Sequence, residues 1–183
     1  MRIVLGITGA TGAIYGIKTL EALHDCGVEV HLIVSNWGAE TIRLETRKSI
    51  GDLEQLAFKV YSPQALDAAV SSGSFPVDGT IIAPCSMKTV AAIAHGYSDN
   101  LIARVADVTL KERRKLVLMP RETPLNVIHL QNMLELAKIG AIIMPPMPAF
   151  YNHPETLTDI VEHQVGRVLD CFGIENRYVK RWS

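Results

Sequence analysis

The chain has few of the features that mark secreted, membrane-embedded or nucleic-acid-binding proteins. Its 183 residues include only three cysteines, Cys26, Cys85 and Cys171, far apart and with no Cys-x-x-Cys pair. That number and spacing suit neither a disulfide framework nor a structural zinc site, and fit reduced thiols in a cytoplasmic protein. Long apolar runs are missing as well. The longest, 141–150, holds three prolines and is about half the length that a membrane-crossing helix needs. Behind Arg2 lies only a strand-length apolar stretch before glycines interrupt it, which argues against a signal peptide. Neither sign of charge dominates, with 18 Lys and Arg against 19 Asp and Glu. No basic excess points to nucleic acid, and no acidic tail to a solvating arm. The six histidines show no ligand spacing, so no metal site is expected.

What the chain does have is 48% hydrophobic residues, enough for one domain over 1–183 with a sizeable core. Its organising stretch is the first. Apolar residues 3–7 are followed by Thr8-Gly9-Ala10-Thr11-Gly12-Ala13, and then by Ile14, Ile17, Leu20 and Leu23 at helical spacing. This reads as buried strand, tight turn and helix start, with backbone N–H groups left for a phosphate at the positive helix end. Further strands are expected at 28–35, 79–84, 115–119 and 141–144. Helices are expected at 37–46, 50–58, 86–95, 101–111, 126–139 and 154–172, with 61–75 a surface loop. Short apolar strands alternating with helices imply a parallel sheet covered on both faces, whose ligands sit at the carboxyl ends of the strands.

The segments leaving those ends are therefore the ones to read for chemistry. The glycine spacing is not the dinucleotide Gly-x-Gly-x-x-Gly, and the second strand ends in Ser35-Asn36 where a ribose site needs an acid. A short-chain dehydrogenase is excluded further, because no tyrosine has a lysine four residues on. Pro84-Cys85-Ser86-Met87-Lys88-Thr89 offers two hydroxyls and a helix start, with Lys88 set against the dipole preference, which points to its being kept for a ligand. Cys85 reads as a small core residue. Arg121-Glu122, pinned between Pro120 and Pro124, offers a phosphate clamp and a proton carrier. Pro145-Pro146-Met147-Pro148-Ala149-Phe150-Tyr151 reads as a stiff apolar wall ending in a phenol. His153 reads as a surface residue before the last helix.

In this order these segments resemble the flavin prenyltransferases of the UbiX type, formerly called phenylacrylic or aromatic acid decarboxylases. Ser71-Ser72-Gly73-Ser74, Ala106-Asp107-Val108 and Leu110-Lys111-Glu112-Arg113 add to the likeness, which runs down to Arg181-Trp182. The resemblance implies a flavodoxin-like or Rossmann-like three-layer α/β/α fold with a parallel sheet of five or six strands. It implies a dodecamer with active sites between subunits. It also implies transfer of a dimethylallyl group from dimethylallyl phosphate to N5 of reduced FMN, followed by a bond to C6. The product, prenylated FMN, would pass to a UbiD-type decarboxylase.

Carried over by motif, the resemblance assigns FMN to Gly9, Ala10, Thr11, Ser35, Ser86, Met87, Lys88, Thr89 and Arg121. It assigns the prenyl phosphate to Lys111, Arg121, Tyr151 and Arg167. Arg104 and Glu45 match further active-site positions, and Glu122 the acid–base residue. Thr11 stands where many members have Ser, which keeps the hydroxyl but adds a methyl. Two other readings are a flavin-dependent cysteine decarboxylase and a non-catalytic FMN-binding subunit. The first needs Asn in its Pro-x-Met-Asn signature, and here Pro148 stands in that place.

Overall fold

The computed structural model describes residues 1–181, so Trp182 lies outside the described residues. Its centre is made of chain segments with no polar face. β1 (Arg2–Ile7) is buried from Ile3 onward, and β4 (Gly79–Cys85) is buried along its whole length. A strand buried on both sides belongs in the middle of a parallel sheet, because helices must cover each face. The remaining strands are β2 (Glu29–Val34), β3 (Lys59–Tyr61), β5 (Lys115–Pro120) and β6 (Ile142–Ile143). All pairings are parallel, in the order β3-β2-β1-β4-β5-β6. The central register sets Ile3 beside both Val30 and Gly79.

One face is covered by α1 (Ala13–Asp25) and α7 (Leu157–Cys171), which pack side by side, with Ile42 of α2 (Asn36–Glu45) and Leu53 of α3 (Ile50–Glu54) joining the same core. The other is covered by α4 (Met87–Ala94), α5 (Leu101–Lys111) and α6 (Val127–Lys138). Contact between α1 and the sheet depends on Gly16. A Cβ there would lie 2.3 Å from the carbonyl oxygen of Ala83, so any side chain would push the helix off β4. Fully buried residues such as Leu20 and Leu23 then close the layer, each burial stabilising the fold by roughly 1.5–3 kcal/mol.

Most elements lie where periodicity sets them, and three differ. β3 occupies the edge beside β2, where the sequence reads as the end of a helix and the start of a loop. Its three residues pair with His31, Leu32 and Ile33, too short a run to show a period of its own. α3 accordingly stops at Glu54, and Phe58 N–H already donates to Val30. α7 starts at Leu157, because Thr156 and Asp159 form a reciprocal cap there.

The chain runs β1 to β3 in one direction and then returns to build β4 to β6 in the other. The reversal falls between β1 and β4, and a crevice opens at their carboxyl ends. Among the described residues no helix is long and apolar enough to cross a membrane.

Candidate active site

The crevice is built from two turns that a single hydroxyl ties together. Thr8, just past β1 and 2% exposed, donates its Oγ1–H to the Pro84 carbonyl at 2.8 Å and accepts the Ser86 N–H at 2.8 Å. Its own N–H also donates to Pro84. The β1–α1 and β4–α4 turns are therefore held together. Gly9 comes next, and a Cβ on it would lie 2.4 Å from the Cβ of Trp37, so the turn and the start of α2 touch only because Gly9 has no side chain. Ser35 caps α2 by accepting from Gly38 N–H at 2.9 Å, and Ser86 caps α4 by accepting from Thr89 N–H.

Between these turns lies a cleft of about 520 Å³, with Thr8, Gly9, Ser35, Trp37, Ser86, Lys88 and Thr89 on its walls. Asp99, Asn100 and Gln64 line it as well. Lys88 Nζ sits 3.0 and 3.1 Å from the two carboxylate oxygens of Asp99. That ammonium holds the Asp99 carboxyl below its ordinary range. Arg121 stands beside the same turn, its N–H donating to the Cys85 carbonyl. Five of the expected flavin contacts thus share one cleft, and Arg121 is joined by its backbone to the strand end beside it. Ala10 is buried, Thr11 is exposed, and Met87 packs toward the α4–α6 core. Cys85 is fully buried, and burial pushes its thiol far above the ordinary range, as suits a core residue.

The opening turn itself differs from expectation. Its N–H groups at the start of α1 are occupied, because the Glu45 carboxylate accepts from Gly12 N–H at 2.8 Å and from Ala13 N–H at 2.9 Å. A positive helix end with unmet donors draws the nearest anion, and the end of α2 delivers one from within the chain. The cationic anchor in the cleft is Lys88, at the start of α4.

The other expected residues lie apart. Tyr151 follows β6 in a loop that α7 and the tail fasten, through Gln164 Nε2 to the Pro145 carbonyl and Lys180 Nζ to the Asn152 carbonyl. Its phenol oxygen is 3.2 Å from His163 Nε2. Arg167, one turn further along α7, pairs with Asp170 at 2.9 Å. Arg121 and Glu122 make no ion pair with each other, and Glu122 is exposed, accepting from Thr123 N–H alone among the described residues. The Met147 and Phe150 side chains, expected as an apolar wall, are each 68% exposed. Val127, Ile128, Leu130 and Leu134 on the adjoining α6 are also exposed.

Lys111 is farther still. α5 starts at the cleft with Asn100 and ends at the amino edge of the sheet, where Lys111 pairs with Glu112 against Gly73. Two turns back, Arg104 donates to the Ser71 carbonyl at 3.3 Å and to Asp107 at 3.0 Å. Within one chain neither joins the cleft. Sequence reasoning gave no separate role to Thr8, Asp99 or His163. Thr8 lay inside a recognised motif. The other two carry no local signal beyond the four-residue step from His163 to Arg167.

The chain matches the family model named Flavoprotein over residues 1–169. It is 56% identical over 183 residues to flavin prenyltransferase LpdB of Lactiplantibacillus plantarum, covering 100% of this chain and 98% of that one. The crystal structure of a dodecameric FMN-dependent UbiX-like decarboxylase from Escherichia coli superposes with a TM-score of 0.98 at 55% identity, covering 100% of both chains. AnUbiX in complex with FMN and dimethylallyl pyrophosphate does so with a TM-score of 0.98 at 51% identity, covering 100% of this chain and 97% of that chain.

Proposed function

This chain belongs to the flavoprotein family as a UbiX-type flavin prenyltransferase, and we propose that its carboxyl-edge cleft holds FMN while the prenyl phosphate meets groups gathered from more than one copy of the chain. The reaction joins a dimethylallyl group from dimethylallyl phosphate to N5 of reduced FMN and then to C6. The cleft suits that flavin by its donor set. Lys88, the Ser86 and Thr89 hydroxyls and the first turn of α4 favour an anionic phosphate ester, and Ser35 offers a hydroxyl to the ribityl chain. The reduced flavin supplies the nucleophile.

The side chains of this protein do the rest. Expelling phosphate from an allylic carbon puts negative charge on the leaving oxygens, where cations and phenols stabilise it. Arg121, Arg167, Lys111 and Tyr151 are assigned that task. Glu122, exposed and with no cationic partner among the described residues, is assigned the proton transfer, to the leaving group or from the ring. Arg104 is assigned to the same site from α5. Glu45 holds the first turn in shape by its two backbone bonds.

The observation that carries this reading is the cleft at the strand reversal, with its two turns tied by Thr8. The separation of Lys111 from that cleft, together with the exposed apolar face of α6, supports a multi-subunit assembly of the dodecameric kind. A UbiD-type decarboxylase is the proposed recipient of the product, in the cytoplasm. We read residues 1–183 as one domain. Purified protein given reduced FMN and dimethylallyl phosphate without oxygen is expected to yield a flavin one C5 unit heavier by mass spectrometry. Unmodified FMN after full turnover conditions would refute the assignment. A non-catalytic FMN-binding role predicts that Glu122→Ala and Lys111→Ala change nothing measurable.

A further inference from the structure

Behind Tyr151 stands a histidine that no motif marked. His163 is 6% exposed, on α7 one turn before Arg167. Its ring meets the Tyr151 ring edge-on, with centroids 5.6 Å apart and planes at 82°. Nε2 lies 3.2 Å from the phenol oxygen, and Nδ1 is buried with no partner among the described residues.

Those two facts select a tautomer. A neutral imidazole carries one N–H and one bare nitrogen. A buried N–H without an acceptor is rarer and more costly than a buried lone pair without a donor. The proton therefore belongs on Nε2 and the empty lone pair on Nδ1. Burial and the nearby Arg167 cation both hold the ring in its neutral form. In this arrangement the imidazole gives its hydrogen to the phenol oxygen, and the phenol must give its own hydrogen elsewhere.

We propose that His163 is a positioning residue, which by donating from Nε2 to the Tyr151 oxygen turns the phenolic hydrogen toward the departing phosphate. The opposite tautomer would spend that hydrogen on the imidazole and leave Tyr151 presenting a lone pair to an anion. The inference rests on the reading that Tyr151 touches the prenyl phosphate.

The test is a double-mutant cycle on the full-length, FMN-loaded protein with His163→Phe, Tyr151→Phe and both together. His163→Phe keeps an aromatic ring of similar bulk and removes the N–H. It is expected to raise KM for dimethylallyl phosphate roughly tenfold, the order for one hydrogen bond to a charged group. Above neutral pH, FMN affinity and melting temperature stay as in the wild type. His163→Gln, whose amide N–H reaches the Nε2 position, restores most of the loss and keeps the test decisive if the Phe variant folds poorly. On the Tyr151→Phe background, His163→Phe adds nothing. Calorimetric binding of inorganic phosphate to the same proteins repeats the cycle without turnover. Failed wild-type turnover with the cycle intact in binding would count against the enzyme reading alone. A loss from His163→Phe that persists without the Tyr151 hydroxyl, or is not relieved by Gln, would overturn the positioning role.

Discussion

The carboxyl-edge cleft and the residues assigned to the prenyl phosphate are built in opposite ways. In the cleft, one chain satisfies its own polar groups. Thr8 is bonded on both sides, Ser35 and Ser86 each cap a helix, and Lys88 has Asp99. The phosphate residues are spread over three surfaces. Lys111 and Arg167 are each paired with a carboxylate next to them in sequence or one turn along, and Glu122 has no cation among the described residues. On the proposed assignment, the flavin cleft is formed within a single chain, while the phosphate chemistry would need those cations turned from their local partners toward a site shared between copies.

The largest effect expected from this contrast belongs to Glu122→Gln. The amide keeps the shape but carries no proton between donor and acceptor, and loss of a general acid–base group lowers rates by about 10²–10⁴-fold. Turnover should fall in that range while FMN affinity, measured by flavin fluorescence, is unchanged, because Glu122 lies outside the cleft walls. A matching loss of FMN affinity would blur the division between the two regions.

Lys111→Ala sharpens the division in another way. Alone it should lose about tenfold or more in kcat/KM for one charge-assisted contact. Co-expressed with a cleft-blocked partner such as Gly9→Trp, it should regain part of the wild-type activity. Such mixed assemblies contain some sites with an intact cleft from one copy and an intact Lys111 from another. No gain in the mixed assembly would mean that Lys111 serves the cleft of its own chain.

Thr8→Val tests the cleft side. The change keeps volume and removes the hydroxyl, so Ser86 N–H loses its acceptor in a partly buried place. Such a loss costs about 1–3 kcal/mol. With the two turns no longer tied, FMN affinity should fall, and the catalytic rate at saturating FMN should hold.

The same contrast explains what was legible in the sequence. The cleft is made where strands end and helices begin, and caps and glycines mark such places locally. Residue type and spacing alone pick out the turn at Gly9, Ser35 and Ser86, as they do β1 and α1. Glu45 meeting the Gly12 and Ala13 N–H groups brings together residues more than thirty positions apart, and no spacing rule announces that the end of α2 reaches the start of α1. β3 has only three residues, and its pairing with β2 rather than its composition makes it a strand. His163 looks like any polar position of an amphipathic helix until the loop carrying Tyr151 folds over it.

The smallest effect, and the most selective, concerns pH. Burial and Arg167 lower the His163 pKa from its ordinary value near 6.5, while Asp170 opposes this weakly. With the folded pKa depressed, the unfolded chain binds a proton that the folded chain refuses. Stability then declines as pH falls through about 6.5 and levels off only below the folded value. The carboxyl of Asp99 has the reverse character. Its depressed pKa gives a contribution that is complete above about pH 4 and is lost only in stronger acid. Between pH 7 and pH 5 the decline should therefore come from the Tyr151 side and not from the cleft. One kcal/mol moves the melting temperature of a domain this size by about 2–4 °C, so a shift of a few degrees at most is expected. Replacing His163 by Phe should flatten it, while FMN affinity in the wild type stays level over the same range. A pH slope that survives in His163→Phe would assign the decline to another group and remove the imidazole from this part of the contrast.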